Sequence, residues 1–109
     1  MKILSFTGSR AEYYILRPLF IKLSNLSNVD FSLIVSGGIT KEENNKTLND
    51  IKKDNVNVIQ LVDIPNIYIN HSQIIGYLCI NLQSIISDIN PDLCIVYADR
   101  YESFAFAIA

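Results

Sequence analysis

The sequence predicts an α/β fold with a parallel, doubly wound sheet of Rossmann-like type. Short apolar runs with strand character recur four times, and a helical pattern follows each of them. The runs are continuously apolar, as expected of strands that helices cover on both faces. Strands joined by helices form right-handed crossovers and lie parallel. The usual order for such a sheet is 3-2-1-4, which makes the first and fourth strands neighbours.

The four predicted strands end at turn residues. They cover residues 3–6, 29–35, 56–62 and 93–97. The first is followed by Thr7, Gly8 and Ser9, and the second by Gly37 and Gly38. Turn chemistry at these points ends each strand.

The first helix follows Ser9 and has one apolar face. Apolar side chains recur there at three- and four-residue spacing, at Leu16, Leu19, Phe20, Leu23 and Leu26. Pro18 falls inside this pattern and predicts a kink or a separate first turn, because proline lacks the N–H that a helix interior needs.

The other helices differ in how apolar they are. Thr40-Lys41-Glu42-Glu43 resembles a capping box and predicts a polar helix to about Lys53, with a thin apolar side at Leu48 and Ile51. Residues 72–89 carry a full apolar stripe, which predicts the third helix. A fourth helix starts at Arg100 and is still apolar at Ala109, so we expect the domain to continue beyond this segment.

Composition excludes some classes of protein. The 109 residues have a formal net charge of -2, which argues against a nucleic-acid partner, because proteins that bind nucleic acid normally have a basic face. No apolar run has membrane-spanning length and no leader pattern opens the chain, so we expect a cytoplasmic protein without a membrane partner. Cys79 and Cys94 have neither metal-ligand nor redox spacing and are interpreted as buried thiols, and we expect no metal site.

Two strand-to-helix turns carry the same pattern: Ser9-Arg10-Ala11-Glu12 and Asp99-Arg100-Tyr101-Glu102. Each is typical of a capping box, which contributes about 1 kcal/mol by satisfying helix N–H groups. Capping does not account for the arginines, because a cation in the first turn opposes the helix dipole. The pattern therefore favours a bound anion, such as a phosphate, between the first and fourth strands.

Other residues have ordinary interpretations. His71 has no second histidine or cysteine spaced for a metal and is interpreted as a loop residue. Tyr13 and Tyr14 could form the wall of a base or sugar site, but packing explains such residues more often.

These motifs resemble those of the hydrolysing UDP-N-acetylglucosamine 2-epimerases of sialic acid biosynthesis. The resemblance runs from Met1 to Ala109. It depends on residues 7–13, 35–37, 54–57, 91–93, 99–102 and 107–109. It implies two Rossmann-like domains in a GT-B arrangement, of which residues 1–109 would be the incomplete first part of the amino-terminal domain.

The resemblance also implies an activity. The family converts UDP-N-acetylglucosamine and water to N-acetylmannosamine and UDP without a cofactor, and its members are commonly homo-oligomers. Asp99 matches a family acid implicated in catalysis. A second group of residues matches the substrate-binding part of the motifs: Gly8, Ser9, Arg10, Glu12, Gly37 and Arg100.

Several positions depart from the family pattern. Ile39 stands where a histidine is usual, Ala98 replaces a glycine, Tyr14 replaces a small residue and Asn45 replaces a glycine. The family's H-G-G-E stretch and second domain lie outside these residues, so we expect no catalysis by the 109 residues alone. Two alternatives stay open: a relative acting on another UDP-aminosugar or a non-hydrolysing epimerase, and a truncated or decayed non-catalytic copy.

Overall fold

The computed structural model describes residues 1–97 and 100–109. Its four strands form one parallel sheet in the order β3-β2-β1-β4, which confirms the predicted fold class. The strands are β1 (Lys2–Thr7), β2 (Asp30–Ser36), β3 (Val58–Val62) and β4 (Leu93–Ile95). The helices are α1 (Arg10–Ser24), α2 (Lys46–Lys53), α3 (His71–Ile89) and α4 (Tyr101–Ile108), with a short 3₁₀ turn at Gly37–Ile39.

Strand β1 lies at the centre of the sheet and pairs on both sides. Ile3 is in register with Phe31 of β2 and with Leu93 of β4. The Ser5 hydroxyl donates a hydrogen bond of 2.8 Å to the carbonyl of Ile95, which adds a side-chain link between β1 and β4. All residues of β1 after Lys2 are buried, as the continuous apolar run predicts.

Helices cover both faces of the sheet. Leu4 and Phe6 of β1 point to one face, where they pack with residues of α3 and α4 such as Leu78 and Phe106. Ile3 points to the other face and packs with residues of α1 and α2 such as Phe20. Side chains alternate between the faces because successive residues of a strand point in opposite directions.

Helix α1 continues through Pro18 to Ser24, so the proline does not divide it. The fully buried side chains of Tyr13 and Phe20, on either side of Pro18, hold both halves of the helix on the sheet. This packing outweighs the hydrogen bond that proline cannot donate. Leu26, expected on the inner face, lies beyond the helix and is exposed.

Helix α2 starts at Lys46, so the predicted start at Thr40 is wrong. The Thr40 hydroxyl donates to the carbonyl of Gly37 instead of capping a helix. The Glu42 carboxylate accepts hydrogen bonds from the Thr47 N–H and hydroxyl at 3.0 and 2.7 Å. It thereby provides a partner for a backbone N–H in the first turn of α2. Asn45 precedes the helix with φ of 50°, a left-handed conformation that asparagine adopts more readily than most residues and that glycine adopts freely.

Strand β4 is shorter than predicted and forms one edge of the described sheet. The prediction of two buried thiols is therefore wrong for Cys94, which lies on this edge and is exposed, whereas Cys79 in α3 is half-buried. None of the helices in the described ranges combines the length and apolar character that a membrane crossing requires.

An ion pair ties α1 to the end of α2. The Arg17 guanidinium donates to both carboxylate oxygens of Asp54, at 2.8 and 2.9 Å. The Tyr13 hydroxyl donates to the same carboxylate at 2.5 Å. The hydrogen bonds from Arg17 are the main cause that lowers the pKa of Asp54.

We expect Asp54→Asn to lower the free energy of unfolding by about 1 kcal/mol at pH 7, because the Arg17 side chain is 38% exposed and solvent screens the pair. Since the pKa of Asp54 is lowered in the folded state, the stabilisation is present above the unfolded pKa of about 4 and is lost as the pH falls through the folded value. Urea denaturation of both chains at pH 7 and pH 2.5 measures this. A difference that stays the same at both pH values would contradict the assignment, and exposed Asp88→Asn, as a control, should stay within about 0.5 kcal/mol of wild type.

Candidate functional site

The candidate site lies where β1 and β4 end. Because these strands are parallel neighbours, their carboxyl ends lie at the same end of the sheet. Helix α1 leaves β1 over one face, and α4 leaves β4 over the other. A crevice at the carboxyl ends of such strands is the usual ligand position in doubly wound sheets. Among the described residues, the first turns of α1 and α4 meet there, since the Ser103 hydroxyl donates to Glu12.

Two glycines bring the turns after β1 and β2 into backbone contact. Gly37 has φ of +63°, and a Cβ atom built on it would lie 2.3 Å from the carbonyl oxygen of Gly8. The N–H of Gly38 donates to that same oxygen at 3.0 Å. Glycine is therefore required at position 37 both by the backbone conformation and by the space available.

Ser9 caps α1. Its hydroxyl accepts a hydrogen bond of 3.3 Å from the N–H of Glu12, which confirms the predicted cap. The carboxylate of Glu12 accepts from the Gly8 N–H at 3.2 Å and from the Ser103 hydroxyl at 3.4 Å. Glu12 thereby joins the β1–α1 turn to α4, a long-range contact in addition to local capping.

Arg100 and Glu102 form a bidentate ion pair at the start of α4. The guanidinium donates to the two carboxylate oxygens at 2.9 and 3.1 Å. The Glu102 side chain is buried, whereas the Arg100 side chain is 46% exposed. Hydrogen bonding to Glu102 raises the pKa of Arg100, which keeps the guanidinium charged. The Glu102 carboxylate is thus engaged by Arg100, and Asp99, its partner in the predicted capping box, lies outside the described residues.

Glu12 and Glu102 place two carboxyl groups in one buried region. Burial is the largest cause that raises the pKa of Glu12, and the like charge of Glu102 adds to it. The hydrogen bond from Gly8 and the positive charge of Arg100 act in the opposite direction. The sequence patterns did not indicate the contacts of Glu102 and Ser103. The equal offset of Glu12 and Glu102 from their turns was a signal, but only the packed structure shows that both side chains are buried there.

The two arginines rest on different aromatic rings. The guanidinium carbon of Arg10 lies 5.5 Å from the centre of the Tyr14 ring, and that of Arg100 lies 5.6 Å from the Tyr101 ring. They share the edge of the sheet but belong to helices on opposite faces. Convergence of both guanidinium groups on one anion stays a prediction.

The aromatic residues beside the turns take separate roles. Tyr13 is fully buried, so it packs in the core and does not line a ligand site. Tyr14 donates its hydroxyl to Asp50 of α2 and so fixes the ring on which Arg10 rests. His71 is the first residue of α3, not a loop residue, and its ring stacks on Tyr101 at 4.2 Å.

The remaining singled-out positions lie elsewhere. Asp99 and Ala98 are outside the described residues. Ile39 is fully buried among the side chains that α1 and α2 pack on the sheet, so its side chain serves the core. A groove of about 470 Å³ lies between α2 and β3, lined by residues such as Leu48 and Val56. It borders the opposite edge strand of the sheet and is separate from the crevice.

We expect Gly37→Ala to lower the free energy of unfolding by about 2 kcal/mol or more, because the new methyl group would overlap the Gly8 carbonyl and strain a positive φ. The matched control is Gly76→Ala within α3, where a Cβ atom meets nothing within 4 Å. This control should raise stability by about 0.5–1 kcal/mol, since alanine favours a helix interior. Chemical denaturation of the three chains measures both effects, and equal stability of Gly37→Ala and wild type would contradict the close approach.

Sequence comparison identifies relatives along almost the whole chain. It is 37% identical over 111 aligned residues to polysialic acid biosynthesis protein P7 of Escherichia coli, covering 99% of this chain and 28% of that protein. It is 28% identical to a hydrolysing UDP-N,N'-diacetylbacillosamine 2-epimerase of Legionella pneumophila, covering 99% of this chain and 29% of that protein. No protein-family model matches the chain.

A solved structure shares the fold. The crystal structure of UDP-GlcNAc 2-epimerase from Neisseria meningitidis, bound to UDP-GlcNAc, matches with a TM-score of 0.83 at 17% identity. The match covers 99% of this chain and 28% of that one. The chain thus spans little more than a quarter of the length of these proteins. Over that length, the chain is similar in sequence to the polysialic acid biosynthesis protein and to the 2-epimerase of Legionella pneumophila, and similar in fold to the UDP-GlcNAc 2-epimerase of Neisseria meningitidis.

Proposed function

We propose that these residues form the amino-terminal, diphosphate-binding part of a hydrolysing UDP-N-acetylglucosamine 2-epimerase. The whole enzyme would convert UDP-N-acetylglucosamine and water to N-acetylmannosamine and UDP. The observation that carries the proposal is the half-exposed Arg100 guanidinium, held by buried Glu102 at the edge where Arg10 also begins a helix. The relatives named above support the choice of a UDP-sugar as ligand.

The reaction explains why cations are needed at this edge. Loss of UDP breaks the bond between the anomeric carbon and the diphosphate oxygen, and negative charge grows on the leaving group. Positive groups held in place before the reaction stabilise that charge. Glu102 engages two of the five N–H groups of Arg100, and the other three, which bond to none of the described residues, are the proposed contacts for an anion. The positive ends of the α1 and α4 helix dipoles lie at this end of the sheet and favour the same charge.

The other residues of the proposed site shape it or act on the sugar. Gly37 keeps a Cβ atom away from the Gly8 carbonyl, Gly8 leaves room for Glu102, and Ser9 fixes the start of α1. Glu12 ties this turn to α4 through Ser103. We assign Asp99 as the catalytic acid of the site, on its match to the family motif alone. The rest of the active site would come from parts of the longer protein outside these residues.

One observation favours a different sugar. The Legionella pneumophila relative is named for UDP-N,N'-diacetylbacillosamine, and it is 28% identical to this chain. A UDP-aminosugar with other substituents is therefore the second candidate substrate. Both candidates need the same diphosphate site, since they differ only in the sugar.

Isothermal titration with UDP-N-acetylglucosamine tests the diphosphate site. We expect Arg10→Ala and Arg100→Lys each to raise the Kd about tenfold or more, because hydrogen bonds to charged groups contribute about 1.5–3 kcal/mol. The matched control is Lys22→Ala, which removes a positive charge from the last turn of α1, and it should leave the Kd within about twofold. Equal affinities of the arginine variants and wild type would overturn the assignment.

We expect no turnover by the 109-residue chain. Incubation with UDP-N-acetylglucosamine in heavy water, followed by NMR of the C2 proton, should show neither exchange nor release of UDP. The physical reason is that binding the leaving group lowers only part of the barrier, and removal of a weakly acidic C2 proton needs further acid–base groups. Measurable UDP release above a protein-free control would contradict this expectation.

A further inference from the structure

The buried region beneath the two turns holds two carboxyl groups and a single guanidinium among the described residues. Glu12 is 3% exposed and Glu102 is 2% exposed. Glu102 is occupied by both hydrogen bonds from Arg100. Glu12 receives the weaker set, from the Gly8 N–H and the Ser103 hydroxyl. If both acids are ionised, one negative charge in this region has no full counter-charge.

The groups that act on Glu12 come from each element packed around it. The β1–α1 turn contributes the Gly8 N–H, and α4 contributes Glu102 and Ser103, with Arg100 as the residue that precedes its first turn. Burial and Glu102 raise the pKa of Glu12, whereas Gly8 and Arg100 lower it. The ionised form of Glu12 thus depends in part on the charge of Arg100.

An anion bound at the crevice would interact with the same positive charge of Arg100. Arg100 is half-exposed, and its N–H groups that Glu102 does not engage are the proposed contact for the diphosphate. A bound diphosphate brings negative charge next to the guanidinium and offsets its effect on Glu12. In a buried region, this loss of a neighbouring positive charge favours the neutral form of an acid.

We propose that binding of a diphosphate at Arg100 is coupled to uptake of a proton from solvent by Glu12, in the buried region that it shares with Glu102. This inference rests on the proposed function, because it takes Arg100 as the diphosphate contact. The proton bonds to a carboxylate oxygen of Glu12, and no other bond changes. Neutralising one acid leaves a single carboxylate to share Arg100 with the ligand.

Thermodynamic linkage between proton uptake and ligand binding gives the sign of the pH dependence of the affinity. If binding takes up a proton, the affinity rises as the pH falls, by up to about tenfold per pH unit for one proton. The opposite sign is expected if the acids only hold Arg100 in position, because protonating them would then release the guanidinium and weaken binding. The direction in which the affinity changes with pH therefore distinguishes proton uptake from a purely positioning role of the acids.

Isothermal titration of the chain with UDP-N-acetylglucosamine between pH 5.5 and 7.5 tests the coupling. This ligand is suited to the test because its diphosphate is a diester without a proton that titrates in that range. Titrations in two phosphate-free buffers with different ionisation enthalpies count the protons taken up. We expect the Kd to fall with falling pH and the observed enthalpy to depend on the buffer.

Three variants locate the proton. Glu12→Gln mimics the protonated acid, so it should abolish the proton uptake and bind at pH 7.5 at least as tightly as wild type. His71→Asn removes the imidazole stacked on Tyr101, and Glu43→Gln makes the same chemical change at an exposed acid. Both of these controls should keep the proton uptake. Circular dichroism verifies the fold, and if Glu12→Gln does not fold, the wild-type and His71→Asn titrations still decide the question.

The outcomes separate this inference from the proposed function. Binding with a pH-independent Kd and no buffer dependence, or proton uptake that disappears in His71→Asn, would overturn the coupling and leave the diphosphate site intact. Weaker binding at low pH would also overturn it. Failure of wild type to bind UDP-N-acetylglucosamine at any of these pH values would overturn the proposed function and the coupling together.

Discussion

The central position of β1 is the constraint on which the rest of the structure depends. Parallel neighbours pair with this strand on both sides. Its side chains on one face pack under α3 and α4, and those on the other face pack under α1 and α2. The connections after β1 and β4 leave over opposite faces, and such a divergence leaves room for a ligand at the carboxyl ends of the two strands. The core and the candidate site thus result from the same strand order.

The charges at this edge are arranged in two ways. Arg100 has a buried partner in Glu102, and this ion pair offsets the cost of a cation at the start of α4. Its placement therefore does not by itself require an anion, and the case for a ligand rests on the exposed half of its guanidinium. Arg10 is instead exposed and rests on the ring of Tyr14. An ion pair thus positions Arg100, whereas a contact with an aromatic ring positions Arg10.

Positions that depart from the family pattern have structural roles here. Tyr14 bonds to Asp50 of α2 and supports Arg10, so the large side chain links two helices. Asn45 adopts a left-handed conformation before α2, which explains why glycine or asparagine suits this position. Ile39 fills the core between α1, α2 and the sheet.

The sequence by itself determined the fold class, the strand order and the extent of α3, since continuous apolar runs and a full helical stripe are local signals that burial reinforces. It also indicated the edge of the sheet at which Gly8, Ser9, Arg10 and Arg100 lie. Only the tertiary structure decided where α2 starts, because Glu42 bonds to Thr47 across a turn that the capping pattern did not distinguish. The meeting of Glu12 with Ser103 was likewise decided by packing. These residues are 91 positions apart, and the strand order brings their helices to the same end of the sheet without fixing which side chains touch there.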